Sequence, residues 1–385
     1  MNGRMNSGGL RFHWMLPKGG EVVVGATQTP EEACRYRVQS TTKNSIAPLP
    51  DIPGWTHFAR RAEEAGIDSV LISFSRYEPD PITVSTALTQ ATPKLRYMLA
   101  YRSGLTQPAT FVQQINTLSA LSHGRVSINL VAGSSAAEQR GYGDYLSHDD
   151  RYARAEEFLA VCQAFWKGGE VDFEGTYYRV EKGKLLTPFV SPDRTSPEIY
   201  ISGHSAEAER LAIAQGTSWL RVIDTPEKVE PHVTRARANG IGVCLRLCLI
   251  CRPTHEEAVA VMEALLADDA VRRREAAAAQ DETQLHTTAL KDDSRMHAEA
   301  AAAAKDGAHW LNQTIFTGFV QYYGPVWTTL IGTPAELADA FLAYKAIGVT
   351  EFILSGWPEV GEVEIFGREV LPLVRAGEQR FAKAG

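Results

Sequence analysis

LRYMLAYRSGLTQPATFVQQINTLSALSHGRVSINLVAG, residues 95–133, opens on an apolar run, changes to helical spacing near Gln107 and closes on a second apolar run. The outer runs, 95–102 and 125–133, are short and bounded by turn residues, as strands are. The segment between them repeats its apolar residues at three- and four-residue intervals, the pattern of a helix that buries one face. Two strands joined by such a helix lie parallel, connected by a right-handed crossover.

The alternation extends both ways. Upstream are runs at 10–17 and 68–75, with a helical segment at 55–66 (WTHFARRAEEAG) that ends on Gly66, a usual C-terminal stop. Downstream are runs at 198–203, 218–223, 243–252 and 349–355, and further helices begin near Pro81 and Asp149. Eight strands alternating with helices predict an α/β fold, the (β/α)8 TIM barrel, a closure that suits this number better than an open sheet.

A chain of 385 residues fits one barrel with insertions, spanning 10–385. Residues 1–9 are polar and Gly-rich, read as disordered, and lack the apolar centre of a signal peptide. Three segments break the repeat. Residues 18–53 form a long loop; 169–186 (GEVDFEGTYYRVEKGKLL) has the Gly-centred turns of an inserted hairpin; 265–324 is Ala- and charge-rich, partly helical and partly mobile. All three are expected to leave from the C-terminal ends of strands, at the face where barrel enzymes keep their chemistry.

Composition removes several function classes. The net charge of −7 is wrong for a sequence-independent hold on nucleic acid, which needs clustered Lys and Arg. No run of apolar residues is long enough to span a membrane. Five cysteines, an odd number with no disulfide-like framework, point to a reducing cytoplasm. Cys244-x3-Cys248-x2-Cys251 matches the cluster-binding triad of radical enzymes in spacing alone. CLRLCLIC is strand-like, so Cys251 would face away from Cys244 and Cys248, and small buried hydrophobes are the better reading.

Some residues stand out chemically. Ser202-Gly203-His204-Ser205 ends an apolar strand and opens a helix, where unpaired N–H groups and a hydroxyl suit a phosphate, or where a serine simply caps the helix. Asn129 is an amide inside an apolar strand and must find partners, either a ligand's polar edge or a neighbouring loop. Gly133-Ser134-Ser135 offers a turn where backbone approaches a ligand closely. Arg102 follows one strand and Arg246 lies within another; a guanidinium facing the barrel interior marks an ion pair or an anionic ligand. His13, His123, His148, His204, His255 and His309 show no paired metal-ligand spacing, so no metal is expected. Nucleophile elbow, P-loop and Rossmann patterns are absent, which leaves a bound organic cofactor as the source of hard chemistry.

Several motifs occur in one order along nearly the whole chain: WMLP (Trp14 to Pro17), AxRxxxTxP (Ala100 to Pro108), LSxGRxxxNLVxGS (Leu121 to Ser134), DxRY (Asp149 to Tyr152) and VDFEG (Val171 to Gly175). KLLTP (Lys184 to Pro188), SGxS (Ser202 to Ser205), RLxxIxR (Arg246 to Arg252) and LSGWP (Leu354 to Pro358) follow. In these the chain resembles the bacterial-luciferase-like flavin monooxygenases, and among them the alkanesulfonate monooxygenases.

The resemblance implies reduced FMN supplied by a separate reductase, molecular oxygen as co-substrate, a flavin peroxide that attacks a small organic substrate, and a homodimer or homotetramer. It implies that Asn129 meets the flavin ring or ribityl chain, and that Ser134 or Ser135, Tyr152, Ser202, Gly203 and Ser205 surround the phosphate. Arg246, Glu78, Trp357, His13 and Arg102 become the candidate catalytic and pocket residues.

The substrate side departs from the sulfonate enzymes. Lys18-Gly19-Gly20 stands where they carry a histidine, Tyr77 or Glu78 where they carry a cysteine, Cys248 for a second histidine, and Trp357 for a tyrosine. This argues against a simple alkanesulfonate, while an organosulfur compound stays the default by analogy. Two other functions share the motifs: a deazaflavin-dependent hydride-transfer enzyme, and a non-catalytic flavin-binding subunit.

Overall fold

The computed structural model describes residues 8–17, 51–75, 78–133, 136–278, 309–320, 324–356 and 359–384. Its strands are β1 (Arg11–Met15), β2 (Ser69–Ile72), β3 (Arg96–Tyr101), β4 (Val126–Leu130), β5 (Val171–Glu174), β6 (Arg179–Gly183), β7 (Glu198–Ser202), β8 (Ser218–Val222), β9 (Gly242–Cys251), β10 (Ile315–Phe316), β11 (Thr329–Gly332) and β12 (Glu351–Gly356). β1, β2, β3, β4, β7, β8, β9 and β12 are parallel neighbours in that order, and β12 pairs back onto β1, closing a (β/α)8 barrel. The eight predicted strands are these eight.

Alternation along each strand sorts side chains between two cores. Phe12, Trp14, Val70, Ile72, Tyr97, Leu99, Tyr101, Val126, Ile128, Leu130, Ile199, Ile201, Trp219, Leu245 and Leu247 face outward into one large apolar layer beneath the helices. Leu71, Met98, Ala100, Tyr200, Leu220, Cys244 and Ile353 fill the lumen. Cys244 thus belongs to the lumen and Cys251 to the outer core, on opposite faces as strand geometry requires. The four described cysteines are all unbridged.

The helices begin where the chemistry asks. Asp51 caps Ile52–Glu64 by accepting the Gly54 N–H, Asp80 caps Pro81–Leu88 at the Thr83 N–H, and Ser147 caps His148–Lys167 at the Asp150 N–H. Thr333 and Glu336 form a reciprocal capping box ahead of Pro334–Ile347.

The bottom of the lumen, at the N-terminal ends of the strands, is ionic. Arg11 pairs with Glu198 at 2.7 Å and Glu351 at 2.8 Å, and Arg96 with Glu198 at 2.5 Å. The buried Glu351 carboxylate also receives the Tyr200 hydroxyl at 2.6 Å and contacts His13 Nε2 at 2.9 Å, while His13 Nδ1 lies 2.6 Å from Ser69 Oγ. Two half-buried guanidinium cations, a buried imidazole and a phenol around two carboxylates satisfy what would otherwise be costly charges.

The insertions differ from expectation in one respect. β5 and β6 form the predicted antiparallel hairpin, but it leaves the end of helix His148–Lys167 rather than the end of a strand. It lies along that helix, where Glu157 accepts the N–H groups of Thr176 and Tyr177, each at 2.8 Å, and Tyr178 packs on Phe158. Its aromatic residues seek the outer core, which the barrel mouth would not supply. In the 265–324 region, helix His255–Ala278 is followed by a described piece, 309–320, that contains β10. β10 pairs with β11, and β11 takes the place beside β9 that β8 vacates: β8 pairs with Gly242–Arg246, β11 with Cys248–Cys251. Residues 1–7, 18–50 and 279–308 lie outside the described residues. None of the described helices is long and apolar enough to cross a membrane.

Candidate functional site

The C-terminal ends of β4 and β7 bring five of the sequence-predicted residues together. Ser202, the last residue of β7, donates its hydroxyl to Asn129 Oδ1 across the strand pair at 2.6 Å. This fixes the amide's orientation, and no described residue accepts from its Nδ2. Tyr152, from the second turn of helix His148–Lys167, reaches back to donate to the Ser202 carbonyl at 3.4 Å. Its burial pushes the phenol above its ordinary range, so it is a neutral donor.

Gly203 follows with φ +142, a region that disfavours side chains, and a Cβ there would lie 2.5 Å from Tyr152 Oη and 2.7 Å from Ala208 Cβ. The chain therefore turns beneath Tyr152 only because residue 203 is glycine. Ser205 then caps helix Ala206–Gln215, accepting the Ala208 N–H at 3.2 Å. Capping and ligand contact, the two readings of this serine, are compatible, because one cap satisfies only one of a helix's first four N–H groups.

Neighbouring residues that the sequence reading did not assign to the cofactor extend this corner. His204 turns Nε2 inward to accept the Val222 N–H at 2.9 Å, which leaves the proton on Nδ1 at the solvent-reaching edge. Desolvation of the inner edge and the nearby Arg221 cation hold its pKa down at about 4, so the ring is neutral at pH 7. Arg221 lies 4.4 Å over the Trp219 ring, and among the described residues its buried Nε and Nη1 have no acceptor. Burial lowers its pKa to about 10. Arg151, inside the DxRY motif, donates to the carbonyls of Ala132 (3.0 Å), Leu146 (2.9 Å) and Gly133 (3.2 Å), tying the loop after β4 beneath Tyr152. The motif pointed to Arg151; Arg221, between Leu220 and Val222 in the predicted strand 218–223, carried the same local signal as Arg246 and was not singled out.

The catalytic candidates are dispersed. Arg246 is 5% exposed in the upper lumen, with Nη1 donating to the carbonyls of Leu247 (2.6 Å) and Ile353 (3.3 Å) and Nη2 to Ser355 Oγ (2.5 Å) and Met15 Sδ (3.1 Å). It faces the mouth, yet its donors are directed at the protein. Arg102 continues the lumen-facing row Met98–Ala100 above the rim of β3, where it pairs with Glu138 at 3.0 Å.

His13 is a correction. The expected pocket residue is held low in the lumen by Ser69 and Glu351, each the first residue of its strand, and does not reach the rim. Glu78 is likewise displaced. It lines a small cavity with Leu16, Pro17, Trp55, Ile72 and Val84, whose strand side chains point away from the lumen. Ser134, Ser135 and Trp357 lie outside the described residues. On the same rim the side-chain ligand atoms of His148, Asp149 and Glu207 fall within 4.8 Å of one another, a grouping at the surface that sequence spacing did not suggest.

The comparisons with known proteins agree with the fold. The structure resembles a riboflavin lyase (RcaE) solved with modified FMN and riboflavin, at a TM-score of 0.70 and 20% identity, covering 96% of this chain and 92% of that one. It resembles the EDTA monooxygenase EmoA from Chelativorans sp. BNC1 at 0.70 and 21% identity, with 96% and 94% covered. A coenzyme F420 dependent tetrahydromethanopterin reductase from Methanopyrus kandleri matches at 0.60 and 16%, with 95% and 99% covered. At these identities the likeness is one of fold. The family model for luciferase-like monooxygenases matches residues 34–351, from ahead of the second barrel strand into the last, and the chain therefore belongs to the luciferase-like monooxygenase family.

Proposed function

We propose that this protein is the oxygenase of a two-component flavin monooxygenase: it takes reduced FMN from a separate reductase and uses molecular oxygen to oxidise a small organic molecule. The observation that carries this reading is the convergence of Asn129, Tyr152, Ser202, Gly203 and Ser205 on one mouth of a luciferase-like barrel. The residues fit the group. A helix N-terminus, a side-chain-free turn at Gly203, and the buried, unaccepted Nε and Nη1 of Arg221 suit a phosphate; the open Nδ2 of Asn129 suits a polar ring edge.

When bound, reduced FMN supplies the two electrons that activate oxygen. The protein's own part is to hold and to dry. Asn129, fixed by Ser202, orients the ligand; the lumen below, plugged by Leu71, Met98, Tyr200, Leu220 and Ile353, admits no water from beneath. Arg246 places a fixed positive charge at the floor of the mouth without giving up its bonds to β12, and that field favours negative charge developing above it.

The likeness to a deazaflavin-dependent reductase keeps a second reading, hydride transfer without oxygen. One titration separates them. Under anaerobic conditions the protein is titrated with reduced FMN and with reduced F420, and oxygen is then admitted with a flavin reductase and a panel of organosulfur and other small substrates. Tight binding of reduced FMN and oxygen-dependent product are expected; preference for F420 with no oxygen consumption overturns the proposal.

A further inference from the structure

Of the two arginines expected in the substrate pocket, Arg246 and Arg102, only Arg102 has donors to spare. Arg246 directs both terminal nitrogens at protein atoms. The side chain of Arg102 is 8% exposed and spends Nη2 on Glu138 at 3.0 Å, while its buried Nε and Nη1 meet no acceptor among the described residues. Its guanidinium carbon lies 5.0 Å from the Phe74 ring centroid and 5.9 Å from that of Tyr142, so two aromatic faces hold the planar group in place. Phe74 in turn packs on the lumen cluster, which sets the cation over the barrel mouth.

An orphaned buried donor costs about 1–3 kcal/mol, and more on a charged group. The surrounding contacts retain that cost instead of letting the side chain swing to water. Nε–H and Nη1–H lie on different edges of the guanidinium, so each is matched by one anionic oxygen, whose charge-assisted bond is about twice as strong as that to a neutral carbonyl. Resting on the monooxygenase reading, we propose that Arg102 is the specificity-determining residue of this enzyme and that its substrate carries an oxyanion: a carboxylate, sulfonate or phosphonate. Glu138 holds the fork from its far side and, as a neighbouring anion, tempers its attraction.

The test uses the full chain with reduced FMN under anaerobic conditions. Calorimetric titrations compare hexanoate and hexanesulfonate with hexanamide and hexan-1-ol. The wild-type protein should bind an oxyanion probe about tenfold or more tightly than its neutral counterpart, the scale of one charge-assisted hydrogen bond. Arg102→Gln should erase that preference while leaving reduced-FMN affinity unchanged, and Arg102→Lys should restore part of it. Glu138→Gln, which removes the competing anion, should tighten oxyanion binding severalfold and serves if the Arg102 variants misfold. A wild-type protein without oxyanion preference or without saturable binding of either oxyanion probe overturns the proposal, as does a preference that survives Arg102→Gln. So does a loss of flavin affinity in that variant with probe preference intact, which would assign Arg102 to the flavin. Failure to bind reduced FMN at all would sink the monooxygenase reading instead, and the probe titrations on the flavin-free protein would still decide the role of Arg102.

Discussion

Asn129 carries the most specific prediction at the scale of single residues. With its Oδ1 occupied by Ser202, the amide has one face left for a ligand. Asn129→Ala should weaken reduced-FMN binding by the worth of one or two buried hydrogen bonds, ~1–3 kcal/mol, read by anaerobic fluorescence titration. Arg221 makes a separable prediction. Its charge acts on His204, within the turn proposed for the phosphate, so Arg221→Gln should lower affinity for FMN and leave riboflavin, which has no phosphate, unaffected. Equal loss for both flavins would remove Arg221 from that site. Gly203→Ala would drive a methyl against Tyr152 Oη at a φ of +142; ~1–3 kcal/mol of stability should be lost, seen as a lower denaturant midpoint. Asn129 and Gly203 were legible because a polar amide in an apolar strand and a glycine at a strand-to-helix turn both break a local rule. The height of His13 was not. Period-two alternation tells which face a side chain takes, and says nothing of how far along the lumen it sits.

Among the elements, the strand starts share an ionic floor that reads poorly one residue at a time. Arg11, Arg96, Glu198 and Glu351 each look like a polar strand boundary; only barrel closure makes them neighbours. The Glu351 carboxylate suffers burial, yet the Arg11 cation and the His13 and Tyr200 hydrogen bonds more than offset it and hold its pKa at about 2. A carboxyl depressed in the folded state contributes stability that is present above its unfolded pKa, about 4.3, and lost as pH falls toward 2. Unfolding midpoints should therefore drop between about pH 5 and pH 2. Glu351→Gln should flatten that dependence and cost ~3–5 kcal/mol at neutral pH, the usual result of breaking one side of a buried charge cluster. A pH profile identical to wild type would show that other carboxylates govern acid unfolding. The hairpin's exit from a helix was similarly hidden: its turns and alternation are local, whereas its docking on Phe158 and Glu157 depends on partners far along the chain. β11 is a four-residue strand whose only reason to exist is the overhang of β9.

Across the whole molecule, the first strand and the last helix meet. The Leu10 N–H is bonded to Glu378 and the Leu10 carbonyl accepts from Arg375 at 2.7 Å, while Phe12 packs on Phe366 with centroids 4.9 Å apart. The last helix, Leu371–Ala384, thus clamps the first strand against β12. Removing residues 371–385 should leave a barrel that cannot close cooperatively, visible as a broad, early thermal transition by circular dichroism; a sharp transition at the wild-type temperature would contradict this. The barrel as a whole was the most legible level, because eight strand–helix repeats leave few topologies open.

β9 has a consequence of its own. It runs for ten residues where its barrel neighbours run for four to six, and β11 braces the excess. Among the described residues this raises a parapet on one flank of the opening, opposite the low sill formed by the ends of β3 and β4. On the proposed reading, a substrate that enters on that flank would meet Phe74, Tyr142 and Arg102 before Asn129, so the threshold itself would select what is oxidised.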